Sequence, residues 1–437
     1  MLENKSPHFS SFFLFNGQLP CFKINDEEYL IFSPFSRKIG RISEEEMNDP
    51  QTLETYEKEG FFGEPQNPEF SHEDIRIGMI LTTDCVLRCR YCFAEGGRGT
   101  PLYLTEKLAL RMMEEAVTPQ TKRMSLYLTG GEPTLNPDVV LSSIARAREY
   151  NLPLSIFLYT CGIIKEDILD TLIAEDIEFN LSVDGIPSVQ DLQRPLCNGG
   201  KSSELVEKSI KKIVQHGQHE LRAIATVTQE SVHHIGDSVE YLAGLGVTNL
   251  QIETFSPFVS NKFSIDLHPP EVDAFVTNFI DGLDRAHEHG VKLIHSVYEN
   301  LLQPCTKYCQ GTNRMVITPD GYVSPCYTVI CGDHPYADDF FIGKYLEESD
   351  RFEYYPEKIE QFFGRTVENT PACQTCFAKY ICSGGCVNRA YTYSKSFRGV
   401  DEYLCSIRKK ILPAFLYRLL ELTERVSGDD SHGTETL

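Results

Sequence analysis

At 437 residues the chain suits two or three domains, each able to bury its own core, and a hydrophobic content of 41% marks it as globular. Its formal net charge of −22 argues against a phosphate-binding surface, so nucleic acid is not an expected partner, whereas a basic peptide is permitted. No apolar run of membrane length and no signal peptide is read. The 15 Cys then point to a reducing cytoplasm, where thiol spacing signals metal rather than disulfides.

Residues 1–75 read as a small β-rich unit. Strands are expected at 21–24, 29–32 and 38–42, separated by Asn25-Asp26-Glu27-Glu28 and by Ser33-Pro34-Phe35-Ser36. Ser43 with Glu46 three residues on forms a capping box and predicts one helix to about residue 58. Pro65-Gln66-Asn67-Pro68 is a linker. From 76 to 295 strand and helix patterns alternate. Strands read at 77–82, 124–129, 155–159, 179–183, 222–228 and 249–253, with helices among them at 105–117, 136–150, 202–216 and 270–288. Such alternation means α/β, a parallel sheet with helices outside and chemistry at the C-terminal ends of its strands.

Chemistry-bearing residues fall at those ends. Cys85, Cys89 and Cys92, spaced C-x₃-C-x₂-C, follow the first strand. Three soft thiolates so close can hold three irons of a four-iron cluster and leave one open, while zinc or buried thiols are the plainer alternatives. Thr129-Gly130-Gly131-Glu132-Pro133 ends the second strand, and its glycines allow close backbone approach to a ligand. Ser182 and Asp184 end the fourth, where a hydroxyl and a carboxylate can bind a ribose or a charged ligand group, and Arg194 follows. Cys161 reads as a small buried hydrophobe.

From residue 300 cysteines crowd. Cys309-x₁₁-Gly321-x₄-Cys326 precedes Cys373-x₂-Cys376-x₅-Cys382-x₃-Cys386 and then Cys405. A zinc ribbon would use Cys373 and Cys376 and leave the rest idle. An amphipathic helix is expected over 411–426, with a disordered tail at 427–437.

The trio with Tyr91 before its last Cys, the Gly-Gly-Glu-Pro stretch and the later cysteines resemble radical S-adenosylmethionine (radical SAM) enzymes with a C-terminal SPASM domain, over residues 76 to about 410. The resemblance implies a partial (β/α)₆ TIM-like barrel at 76–295, a SPASM domain at 300–410 and a C-terminal helix and tail at 411–437. It implies three [4Fe–4S] clusters. Cys85, Cys89 and Cys92 would hold the one that binds SAM. Cys373, Cys376, Cys382 and Cys405 would close one auxiliary cluster, and Cys309, Cys326 and Cys386 the other, with Cys305 favoured as its fourth ligand over Cys331 and over an open iron that could bind a substrate thiol. Tyr91, Gly130, Gly131, Glu132, Ser182, Asp184 and Arg194 would serve SAM; no catalytic side chain is assigned.

Such enzymes split SAM to a 5′-deoxyadenosyl radical. Relatives in the SPASM class form thioether or carbon–carbon crosslinks in ribosomally made peptides, or mature sulfatases by making formylglycine. The partners implied are a precursor peptide and a low-potential donor such as a flavodoxin or ferredoxin. The N-terminal unit would be a peptide-recognition element or a cap on the barrel. Sulfatase maturases carry an Asp, their proposed base, where this chain has Tyr327. A non-catalytic iron–sulfur carrier is the alternative of another class.

Overall fold

The computed structural model describes residues 12–15, 19–65, 73–217, 220–257, 266–298, 301, 304–308, 314–427 and 435–436. The first sheet contains β1 (Phe12–Phe15), β2 (Leu19–Lys23), β3 (Glu28–Ser33) and β4 (Lys38–Ser43), paired antiparallel in sequence order. Its alternation sorts side chains between two cores. Phe22, Leu30, Phe32 and Ile39 join the main core, whereas Cys21, Ile31 and Ile42 pack with Tyr56 and Phe61. The capping box forms as expected, with Glu46 N–H donating to Ser43 Oγ and Ser43 N–H to Glu46 Oε2. The single helix expected here is two, Glu44–Asn48 and Pro50–Lys58. Pro50 has no N–H to continue the first, and Asp49 caps the second through Gln51 N–H.

The second sheet is built on β5 (Asp74–Ile80), β6 (Arg123–Thr129), β7 (Leu154–Thr160), β8 (Glu178–Ser182), β9 (Leu221–Val227) and β10 (Asn249–Thr254). These six are the expected barrel strands, all parallel. Two further parallel strands flank them, β11 (Lys292–Ile294) beside β10 and β12 (Arg314–Ile317) beside β5. The sheet continues antiparallel through β13 (Tyr322–Ser324), β14 (Gly343–Leu346) and β15 (Arg351–Tyr354). The cysteine-rich region is thus hydrogen-bonded into the barrel sheet.

Register fixes which residues share a face. Met79, Leu128, Leu158 and Leu181 lie toward the helices and are fully buried. Their neighbours Gly78, Tyr127, Phe157, Tyr159 and Asn180 face the other way, onto the concave side. That face carries aromatic and polar side chains.

The last helix, Glu402–Ser427, begins nine residues before the expected start at 411. Its Ile407, Ile411, Leu412 and Leu416 share the main core with the first sheet. The tail expected to be disordered contributes β16 (Glu435–Thr436), which pairs antiparallel with Lys38 and Ile39 of β4; an open sheet edge offers such a segment unpaired backbone groups. Residues 428–434 lie outside the described residues. Among the described residues, no helix is long and apolar enough to cross a membrane.

Candidate active site and thiol cavities

The Cys85–Cys92 loop leaves the C-terminal end of β5 and is tied down along its length. Leu87 bridges Leu196, Arg88 N–H donates to the Pro195 carbonyl at 2.8 Å and Arg90 N–H to that of Gln193 at 2.9 Å. Inside the loop, Arg88 Nη1 donates to the carbonyls of Cys85 and Leu87 at 2.7 and 2.8 Å. Arg98 Nη2 reaches the Cys89 carbonyl at 3.3 Å. Gly130 and Gly131 pack against the same loop. A Cβ on Gly130 would stand 2.5 Å from the Thr82 carbonyl oxygen, and one on Gly131 2.1 Å from that of Asp84. Here close approach of two backbones requires glycine.

The three thiols pack in one apolar cluster with Leu87, Tyr91, Cys161, Phe255 and Leu267. Burial pushes the Cys89 thiol up to about 12 and raises that of Cys92. A hydrogen bond with Cys161 lowers Cys85 and holds Cys161 well above the usual thiol range. Backbone amides point at the sulfurs, Leu87 N–H at Cys85 Sγ (3.4 Å) and Gly96 N–H at Cys92 Sγ (3.5 Å). Two thiols that resist ionising alone, a third that ionises more readily, and amides aimed at two of the sulfurs fit a metal cluster that replaces their protons.

Asp184 is the hub beside this loop. Its carboxylate accepts from the Tyr91 hydroxyl, from Gln193 Nε2 at 2.9 Å and from Thr226 N–H at 2.9 Å. Arg194 Nη2 donates to Oδ1 at 3.1 Å, Nε lies 3.0 Å from Oδ2, and the guanidinium sits 5.1 Å from the centre of the Tyr91 ring. Asp184 thus joins the Cys loop, β9 and the segment after β8, and both its oxygens are already engaged. Glu132 is likewise committed to protein. It accepts from Thr134 N–H and Oγ1, from Thr160 Oγ1 and from Cys161 N–H, locking the end of β6 to that of β7. Ser182 ends β8 on the concave face.

In the C-terminal region Cys373, Cys376, Cys382 and Cys405 line one cavity of about 290 Å³ with Lys379, Arg408 and Lys409. Burial raises Cys373 to about 11 and Cys405 to about 12. Cys326 is held up to about 11, by burial first and then by the nearby Cys386. Cys305 is buried with its thiol 3.1 Å from the Lys307 carbonyl and 3.2 Å from Ser383 Oγ. Cys331 packs instead against the cluster of Ile80, Val316 and Ile330. Cys309 lies outside the described residues. No disulfide joins the described cysteines.

Residues 79–244 match the Radical SAM superfamily. They form a radical SAM domain. A match to that superfamily supports an enzyme over a passive iron–sulfur carrier. It is 23% identical over 322 residues to a serine-type anaerobic sulfatase-maturating enzyme of Klebsiella aerogenes, covering 69% of this chain and 76% of that one. It is 23% identical over 265 residues to a probable GTP 3′,8-cyclase of Methanococcus aeolicus, covering 57% and 84%. In fold it is similar to native anSMEcpe with bound AdoMet and Kp18Cys peptide, with a TM-score of 0.63 at 20% identity over 80% of this chain and 99% of that one. It is also similar to Streptococcus suis SuiB bound to precursor peptide SuiA, with a TM-score of 0.56 at 14% identity over 87% and 99%.

Sequence reading of the radical SAM domain passed over Arg88, Gln193 and Thr226. Arg88 lies inside the cysteine motif and Gln193 beside Arg194, so their positions carried a signal. Thr226 acts through its backbone and carried none.

Proposed function

We propose that this radical SAM enzyme is a peptide maturase that abstracts hydrogen from a residue of a ribosomally synthesised peptide and forms a thioether or carbon–carbon crosslink. The observation that carries the reading is the cavity of about 290 Å³ walled by Cys373, Cys376, Cys382 and Cys405, a second thiol site apart from the trio beside β5. A radical SAM core alone has no use for it, whereas maturases with auxiliary clusters do. In this reading Cys85, Cys89 and Cys92 hold the SAM cluster, which when bound supplies the electron that splits SAM to a 5′-deoxyadenosyl radical. Cys326, Cys386, Cys309 and Cys305 hold the other auxiliary cluster.

The protein's own residues fix geometry. Asp184 orients Tyr91 and Arg194, so Arg194 and the glycine backbone, rather than Asp184 itself, are left to meet SAM with Ser182. Glu132 holds the mouth together. The concave face offers Tyr127, Phe157, Tyr159 and Tyr327 as walls that keep water from the radical. The partners are a precursor peptide and a low-potential flavodoxin or ferredoxin, in a reducing cytoplasm.

Formylglycine formation is the second reading, favoured by the name of the Klebsiella aerogenes relative. The deciding experiment is anaerobic reaction with a peptide encoded beside the gene, followed by mass spectrometry. Crosslinking should give loss of two hydrogens without an aldehyde that hydrazide reagents capture. A captured aldehyde would select formylglycine, and an unaltered peptide would count against both.

A further inference from the structure

Arg408 stands on the last helix, three residues after Cys405, with only 3% of its surface exposed. Its Nη1 donates to Cys382 Sγ at 2.9 Å, and its guanidinium lies 5.1 Å from the centre of the Tyr308 ring. Nε and Nη2 find no hydrogen-bond partner among the described residues. A buried guanidinium is costly unless negative charge answers it, and a neutral thiol answers poorly. The local backbone is shaped around this group. Gly385 has φ +70°, and a Cβ there would stand 2.6 Å from Nη1. The Gly384–Gly385 turn is in turn held by Arg365, whose Nη2 and Nη1 donate to their carbonyls at 2.6 and 3.0 Å.

We propose that Arg408 is a positioning residue that sets the reduction potential of a [4Fe–4S] cluster held by Cys373, Cys376, Cys382 and Cys405. The inference rests on the cluster reading of that cavity. A cluster with four thiolates is negative, and an added electron makes it more so. A fixed guanidinium donating to one of its sulfurs stabilises the reduced form more than the oxidised form and raises the potential. The same negative charge supplies Arg408 with a closer counter-ion than Glu253, a carboxylate that acts on it without an ion pair among the described residues.

The test is a potentiometric titration of the reconstituted full-length protein by electron paramagnetic resonance. The signal of this cluster is the one lost in the Cys373→Ala/Cys376→Ala variant. Arg408→Gln should lower the reduced-to-oxidised ratio at fixed poise at least tenfold, about 59 mV for one electron. Arg408→Lys, which keeps the charge, should recover part of that shift. Equal potentials in wild type, Arg408→Gln and Arg408→Lys, with iron content retained, would overturn the proposal. If Arg408→Gln loses the cluster, Gly385→Ala takes its place, because the new methyl displaces Nη1 from the sulfur. A lowered potential there supports the role, and an unchanged one overturns it. Failure of the cavity reading looks different: the double cysteine variant would then keep all the iron of the wild type.

Discussion

Arg194 is 7% exposed and its counter-ion Asp184 5%, so neither charge has water to fall back on. Asp184→Asn removes the negative partner and leaves the guanidinium buried alone. It should lower the unfolding free energy by about 3–5 kcal/mol, read as a shift of the urea midpoint. Adding Arg194→Leu should recover part of that loss; strictly additive losses would mean that the two side chains do not act as a pair. Tyr327 bears on the choice between the two functional readings. Its ring packs near Tyr127, with centroids 6.0 Å apart, under the Arg314 guanidinium, and burial raises its phenol far above the ordinary value. A phenol so raised does not serve as a base at neutral pH. A sulfatase-type peptide should therefore yield no formylglycine, checked by aldehyde labelling, and efficient labelling would reverse the order of the readings.

His295, just after β11, shows how a short strand brings a pH dependence. Burial lowers its pKa to about 4, against the opposing pull of Glu253, and its ring packs against both Phe275 and Phe279. The unfolded chain, with an ordinary His near 6.5, binds the proton more readily than the folded one. The stabilisation is thus complete above about pH 6.5 and is lost as pH falls toward 4, up to about 3 kcal/mol from this residue. His295→Asn should flatten the urea midpoint against pH across that window; an unchanged slope would assign it elsewhere. Neither β11 nor β12 was legible in the sequence, because three or four residues carry too little periodicity and their strand character comes from pairing with β10 and β5. The six longer parallel strands and their helices were legible because alternation and caps such as Thr105, whose side chain accepts from Leu108 N–H, are written locally. The Asp184 hub was visible only as a motif. Its partners Tyr91, Gln193 and Thr226 come from three separate segments that the fold brings together.

The N-terminal sheet and the last helix close the chain on itself. Phe22 and Phe12 pack edge-on against Phe377 at 4.9 and 4.6 Å, one residue beyond the cavity thiol Cys376, and Arg41 lies over the Tyr417 ring. Deleting residues 1–70 would expose that apolar seam, so the deletant should be aggregated or unfolded by circular dichroism. A folded deletant that still cleaves SAM but binds peptide weakly would instead make the unit a recruitment module. Iron bookkeeping then tests the arrangement of sites. On the proposed reading, three sites of four irons would give about twelve per chain. The trio's loop is fastened by Arg88 and residues 193–197, whereas the cavity is built from residues 372–409, with no fastening residue shared. Replacing Cys85, Cys89 and Cys92 by Ala should remove about four irons and abolish SAM cleavage, and Cys373→Ala/Cys376→Ala should remove about four others. The combined variant should lose the sum, because independent sites add. Continued release of 5′-deoxyadenosine from the triple variant would overturn the assignment of the trio, and loss of all iron from either variant would show that the sites assemble as one.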